Sequence, residues 1–350
     1  MGSRISTQEA LSLYKVNDLN LLSKLATEIR ERKNGKTLWY NKNFHLEPSN
    51  VCIHKCKFCS YRRDDDSQEG AWTMNFDDVA RHCAEKYTKG VTEVHIVGSV
   101  HPTKDISYYL KLIETVREQL PSTVTIKAFS AIEIDDMCTN GGISAKKLLT
   151  QLKTKGVKLL PGGGAEIFNP EVRKVICPDK ADASRWLDIH KTAHQTGIKT
   201  NATMLFGHIE TREHRIEHLS MLRELQDDTG GFDAFIPLVF KPANNQLSHI
   251  AESDIIEILK TFAISRIFLD NFDHIKSYWP MLGKEKSQLT LLYGADDIDG
   301  TINNSTRIYS MAGSQEQSPD MTVKDIEKMA SECGYRAKER DSFYNEVVKK

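Results

Sequence analysis

Phe44-His-Leu-Glu-Pro-Ser-Asn-Val-Cys-Ile-His-Lys-Cys-Lys-Phe-Cys-Ser-Tyr61 starts as a short β-like run and ends in a loop crowded with thiols. Cys52, Cys56 and Cys59 stand in a C-x3-C-x2-C spacing, with the aromatic Phe58 just before the last cysteine. Thiolates are the ligands of iron–sulfur clusters. Three of them in one turn can hold three irons of a [4Fe–4S] cube and leave the fourth iron open to bind something else. A structural zinc site usually needs four ligands, commonly as two separated pairs. His54 lies inside the loop and no second C-x2-C follows. A disulfide framework fits poorly, because the chain is long and its seven cysteines are sparse and odd in number.

The run 44–51 is the first of a series. Further β-like runs fall at 93–98, 124–130, 157–161, 199–205 and 232–239, with a short seventh at 297–302. Amphipathic helices are expected between them at 75–90, 107–120, 144–156, 183–197, 211–228 and 253–272. Ser144 and Thr211 fit N-caps, and Gly90, Gly156 and Gly197 fit the residue after a helix end. Gly294 reads as the stop of another helix. Repeated strand–helix–strand units with near-continuous apolar strands form a parallel sheet with helices outside. Six or seven units curl into a partial or complete (β/α) TIM-like barrel, which takes about 250 residues. The chain therefore reads as one α/β domain over 1–350, with its core at about 38–313. A helical N-terminal segment (1–37) and a C-terminal segment (314–350) are appended to it. In such barrels chemistry sits at the C-terminal ends of strands, which is where the cysteine loop falls.

The other cysteines read as packing groups, since buried free cysteine behaves as a small hydrophobe. Cys83 shares a helical face with Val79 and Tyr87, Cys333 lies with Ile326, Met329 and Ala330, Cys138 follows Ile134 and Met137, and Cys177 closes an apolar run before Pro178. The formal net charge of -1 gives no strong field toward nucleic acid or an anionic membrane. No apolar run reaches the roughly 18 residues of a membrane helix, and the opening residues lack the apolar stretch of a signal peptide. Free thiols and an oxygen-sensitive cluster point to the reducing cytoplasm.

Four strand ends carry further signals. The turn Val97-Gly-Ser-Val-His-Pro102 lets backbone approach a ligand, with His101 as a candidate substrate contact. Lys127-Ala-Phe-Ser-Ala-Ile-Glu-Ile-Asp135 brings Lys127, Ser130, Glu133 and Asp135 to the same rim, with Lys127 and Phe129 on one face by alternation. A lysine there is either at a wet rim or paired with an acid. Leu160-Pro-Gly-Gly-Gly-Ala-Glu166 lacks the lysine of a phosphate loop. It reads as backbone passing close to a flat ligand, with Glu166 placed for ribose hydroxyls. Asn201 and Thr203 alternate onto one face of the fifth strand, and His208 and Glu210 follow at its mouth. The acidic run 296–299 could suggest a cation site, but its spacing is not that of a hard-cation loop.

The cysteine loop resembles that of the radical S-adenosylmethionine (SAM) superfamily. The wider set is Val97-Gly-Ser-Val-His-Pro102, Lys127-Ala-Phe-Ser-Ala-Ile-Glu133, Leu160-Pro-Gly-Gly-Gly-Ala-Glu-Ile-Phe168, Thr200-Asn-Ala-Thr-Met-Leu-Phe-Gly-His-Ile-Glu210 and Gly294-Ala-Asp-Asp-Ile-Asp-Gly-Thr301. Together these motifs resemble the aminodeoxyfutalosine synthase family over roughly residues 38–313. The resemblance implies a radical-SAM-type barrel and a [4Fe–4S] cluster on Cys52, Cys56 and Cys59, with SAM on the open iron. SAM would lie along Phe58, Gly98, Ser99 and Glu166. The 97–102 turn departs from the superfamily's frequent Gly-Gly-Glu, because its acidic residue is missing. The implied reaction adds the 5′-deoxyadenosyl radical to 3-[(1-carboxyvinyl)oxy]benzoate, with aryl migration and loss of CO2 or bicarbonate. It yields 6-amino-6-deoxyfutalosine and methionine on the way to menaquinone. His101, Lys127, Asn201, Thr203 and His208 are the candidates for the substrate's two carboxylates. The implied partner is a low-potential electron donor such as flavodoxin or ferredoxin, with neither nucleic acid nor membrane involved.

Three kinds of rival remain, one of them a hydrolytic metal-dependent barrel, which should carry His/Asp pairs at strand ends and is opposed by the Gly98–Pro102 and Pro161–Glu166 turns. Cyclic dehypoxanthinylfutalosine synthase and the ring-forming enzyme of deazaflavin cofactor synthesis share the loop and barrel. A non-catalytic iron–sulfur electron carrier would need a fourth cysteine ligand and no large pocket.

Overall fold

Apolar strands bury both faces only if the chain returns across the sheet between them, and amphipathic helices supply that return. The computed structural model describes residues 4–348. Helices α1 (Thr7–Leu13) and α2 (Leu19–Asn34) come first, begun by Ser6 and Asp18 caps. Strand β1 (Thr37–Asn41) leads directly into β2 (Asn43–Leu46). Then follow α3 (Phe76–Lys86), β3 (Glu93–Ile96), α4 (Ile106–Gln119), β4 (Thr125–Ala128), α5 (Ala131–Gly141), α6 (Ala145–Lys155) and β5 (Val157–Leu160). The series continues with α7 (Pro170–Ile176), α8 (Ala183–Gln195), β6 (Lys199–Phe206), α9 (Arg212–Thr229), β7 (Phe232–Val239), α10 (Ile255–Phe268) and β8 (His274–Ile275). It ends with α11 (Trp279–Leu282), α12 (Lys284–Thr290), β9 (Asp297–Gly300), α13 (Ile308–Met311), α14 (Val323–Glu332) and β10 (Arg336–Glu339).

Strands β2 to β8 form one curled, all-parallel sheet in chain order. This is the half-barrel expected from the alternation. The remaining strands make a second parallel sheet in the order β10-β1-β9. The run 297–302 is therefore a strand, but not the seventh of the barrel. That place belongs to β8, two residues long and too short to show a periodicity. A single bridge, Lys276 to Asp297, joins β8 to β9, while β1 continues into β2. The small sheet thus spans the gap between the first and last strands of the half-barrel.

Strand ends also differ from expectation. The first run leaves the sheet after Leu46, because Pro48 cannot donate a ladder bond and Glu47 turns away to accept from Thr306 Oγ1 and Arg307 N. The third ends at Ala128: Phe129 has a φ of +67°, and Ser130 caps α5 through a capping box with Glu133. Alternation thus stops at Ala128, and the rim residues 131–135 lie on a helix that the sequence reading had not separated. Ser144 and Thr211 do cap α6 and α9, and Gly294 ends the turn after α12.

The acidic run 296–299 is neutralised by the protein itself. Asp296 pairs with Arg266 and His274, Asp297 with Arg340, and Asp299 with Lys276. Cys83, Cys138 and Cys177 are buried in the core, with Cys333 packed against it.

Candidate active site

A cavity of about 300 Å³ opens at the C-terminal ends of the barrel strands. Its mouth is the cysteine loop. Cys59 N donates to Cys56 O (3.1 Å), forming a tight turn. Ile53 N bonds to Val100 O (2.9 Å) and Lys57 N to Ile176 O (2.8 Å), so the loop is pinned to the β3 turn and to α7. All three thiols line the cavity. Burial pushes the Cys56 thiol up to about 12 and raises Cys52 as well. Such thiols ionise only when something positive replaces the proton. Among the described residues no three His, Cys, Asp or Glu side chains are arranged to hold a single metal ion. Thiolates that each hold a different iron of a cube need not converge on one point.

The wall beside the loop carries an ion pair. Lys180 Nζ lies 2.7 Å from Glu166 Oε1 and 5.3 Å from the Phe58 ring centroid, and all three residues line the cavity. Glu166 has a φ of +46°, a strained value for a residue with a side chain. Its carbonyl accepts from Leu205 N (2.8 Å), which fixes the turn. Desolvation opposes the Lys180 charge, but Cys56, Glu166 and Cys177 hold its pKa well above normal. Nothing in the loop Cys177-Pro-Asp-Lys180 marks this lysine in the sequence.

The three glycines before Glu166 have different reasons. A Cβ on Gly162 would lie 2.6 Å from Asn201 O, so strand packing requires glycine there. Gly164 has a φ of +85° and its Cβ would meet Ile132. Only Gly163 has room, its nearest neighbour being Ser130 Cβ at 3.7 Å. Close approach to a ligand is therefore not needed to explain the run.

At the β3 turn, Gly98 and Ser99 line the cavity. The Ser99 hydroxyl is directed at backbone, lying 2.6 Å from Val51 O and 3.0 Å from Ser49 O. Opposite Gly98 stands Glu133. Its Oε2 accepts from Ser130 N (2.7 Å) and Ser130 Oγ (2.8 Å), while Oε1 has no hydrogen-bond partner. Burial pushes this carboxyl up to about 7.

The floor is a charged layer inside the barrel. Register aligns His45, His95 and Lys127 on β2, β3 and β4, one level above Asn43, Glu93 and Thr125. Lys127 Nζ is 2.6 Å from Glu93 Oε1, and Lys276 Nζ is 2.7 Å from Asp299 Oδ1. Of the two outcomes open for Lys127, the structure shows the buried one paired with an acid. Burial lowers its pKa in spite of Glu93, and pulls His45 down to about 4, which keeps that imidazole neutral. His95, Tyr278, Asp299 and Tyr309 also line the cavity and were not anticipated. The shared signal for His45, His95 and Lys127 is a polar residue at the third position of three successive strands.

Asn201 and Thr203 line the wall, and Thr203 Oγ1 donates to Gly162 O at 2.6 Å. His101 and His208 do not reach the cavity. Val100 turns inward and His101 outward, where Nε2 sits 3.3 Å from Thr73 Oγ1. Gly207, with a φ of +88°, turns the chain after β6, and the His208 ring is spent on Leu205 O and Ile209 N. Neither is among the residues that line the cavity.

A curled parallel half-barrel with a three-cysteine loop at its mouth defines a radical SAM enzyme. The family description "Radical SAM superfamily" matches residues 46–222, and "CofH/MqnC C-terminal region" matches 229–349. The chain is 40% identical to the aminodeoxyfutalosine synthase of Thermus thermophilus, over 99% of this chain and 93% of that protein. It is 38% identical to the aminodeoxyfutalosine synthase of Streptomyces coelicolor, over 98% and 90%. The cyclic dehypoxanthine futalosine synthase of Streptomyces coelicolor is 36% identical over 99% and 86%. Among solved structures, methylornithine synthase superposes with a TM-score of 0.75 at 16% identity, over 96% of this chain and 95% of that one, a likeness of fold alone. The chain belongs to the radical SAM superfamily, in the family of the aminodeoxyfutalosine synthases and their CofH/MqnC relatives. Membership implies a [4Fe–4S] cluster and SAM.

Proposed function

We propose that the chain is an aminodeoxyfutalosine synthase of menaquinone biosynthesis, joining the adenosyl group of SAM to 3-[(1-carboxyvinyl)oxy]benzoate with loss of CO2 or bicarbonate. The observation that carries this reading is 40% and 38% identity, over nearly the full length, to two enzymes of that name. When bound, the cluster supplies the electron that splits SAM into methionine and the 5′-deoxyadenosyl radical that adds to the enol ether.

Cys52, Cys56 and Cys59 would hold the cluster, and Lys180 beside them offsets thiolate charge. Phe58 would flank the adenine, Gly98 and Ser99 would border the amino-acid end, and Glu166 would accept from the ribose hydroxyls. Lys127, held by Glu93, would donate an N–H to one substrate carboxylate, with Asn201 and Thr203 on the adjoining wall. Apolar side chains of Leu205, Ile236 and Leu238 line the cavity and would shield the reacting carbons. The protein's part is to position and shield while the cofactor does the hard chemistry. Reduction would come from a flavodoxin- or ferredoxin-like donor, in the cytoplasm where thiols stay reduced. No helix of the described residues is long and apolar enough to cross a membrane.

The test is an anaerobic assay with SAM labelled in its adenosyl group. Labelled aminodeoxyfutalosine, free methionine and one released carboxyl carbon are expected. Stoichiometric 5′-deoxyadenosine with an unlabelled product would instead mean hydrogen abstraction and defeat this reading.

A further inference from the structure

We propose that His54 donates a ring N–H to a sulfur of the [4Fe–4S] cluster and so raises its reduction potential. The inference rests on the cluster reading above and deepens it. Reduction adds a negative charge to a cluster, and a hydrogen bond to sulfur stabilises the charged state more than the oxidised one.

His54 stands midway between Cys52 and Cys56 in the chain. Its backbone is tied on both sides, Ile53 N to Val100 O (2.9 Å) and Lys55 N to Asp179 Oδ2 (3.4 Å). The loop leaves Ile53 and Lys55 exposed and turns the histidine inward, where only 8% of it is accessible. It lines the same cavity as all three thiols. Both ring nitrogens, Nδ1 and Nε2, are buried with no hydrogen-bond partner. An imidazole carries at least one N–H in either protonation state, and a buried donor without an acceptor is costly. A residue placed here for packing alone would be better apolar. Thiolates and sulfides are the acceptors that the loop gains when it holds a cluster. Lys180, the cation beside the same thiols, is already engaged by Glu166 at 2.7 Å. The imidazole has no such competing partner.

The test compares wild type, His54→Leu and His54→Gln, each carrying isotope-labelled histidine nitrogen and a cluster reconstituted anaerobically. Without SAM, each would be titrated with titanium(III) citrate and followed by EPR, and the reduced cluster examined by pulsed EPR. Wild type should show a histidine nitrogen coupling too weak for a nitrogen bound to iron, and both variants should lose it. His54→Leu should shift the midpoint potential to a more negative value. His54→Gln keeps an N–H donor and should restore most of the wild-type potential, a rescue that a purely structural role would not produce. Equal potentials in wild type and His54→Leu overturn the proposal. So does a wild-type spectrum with no histidine coupling, a coupling strong enough for direct ligation of iron, or one that appears only after SAM is added. If His54→Leu takes up no cluster, the wild-type coupling and its loss in His54→Gln decide the matter. Wild type that takes up no iron overturns the cluster reading itself, and the proposal with it.

Discussion

Glu133 is buried, and the proton it holds ties the stability of the fold to pH. Its carboxyl rises from 4.5 to about 7 on folding, chiefly by burial; the Ser130 bonds and Lys180 oppose the rise, while Asp136 adds to it. Between those values the folded protein keeps a proton that the unfolded chain has lost. The group's contribution is therefore fully present below about pH 4.5 and is lost as pH rises through 7. At about 1.36 kcal/mol per unit, the loss is on the order of 3 kcal/mol. Urea unfolding from pH 5 to 8 should show the ligand-free wild type losing that much relative to Glu133→Gln. A constant difference across the range would mean that the carboxyl titrates normally. Some residues of the site were readable because spacing or composition marks them, as with the three cysteines, the glycine run and Glu166. Lys180 carries no local pattern, and its role depends on how the loop after α7 folds back. His101 and His208 lie outside the cavity lining for a related reason: beyond a strand end, alternation no longer says where a side chain points.

Among the elements, length decided what could be seen. Strands β6 and β7 have eight residues each and were located within a residue, whereas two-residue β8 left no trace. Helix α5 was missed although Ser130-x-x-Glu133 is a capping-box pattern, because the apolar residues around it extend the strand pattern. The glycine run between β5 and α7 allows a sharper experiment. Gly162→Ala would drive a methyl into the backbone of β6, which should cost about 1–3 kcal/mol by overpacking. Gly163→Ala has room and should leave unfolding nearly unchanged. Parallel urea titrations of the two variants would check this, and equal losses would show that the run is flexible enough to absorb a methyl anywhere.

At the level of the molecule, the half-barrel was legible from alternation, but the small sheet was not. Strands β1, β9 and β10 lie far apart in sequence, and register between distant parallel strands has no local signal. We propose that chain ends and barrel form one cooperative domain. β1 lies between β9 and β10, and Arg340, 1% exposed, reaches Asp297 Oδ2 at 2.5 Å. Removing one partner of a buried ion pair leaves a bare charge and costs about 3–5 kcal/mol. Arg340→Met should therefore lower the stability of the whole chain by that order in a single unfolding transition. Two separate transitions would show that the small sheet folds apart from the barrel.

The same ion pair sets an order of events during synthesis. Asp297 leaves the ribosome before the arginine that neutralises it, so until Arg340 is made β9 lacks its counter-charge and β1 lacks its β10 neighbour. The ring is latched by residues that follow every strand of the barrel in the chain. Until then the gap beside β2 remains a way into the barrel interior. Chains arrested before Arg340 should be cleaved by protease near β9, where the finished protein resists. Resistance in the arrested chains would mean that closure does not wait for the last strand.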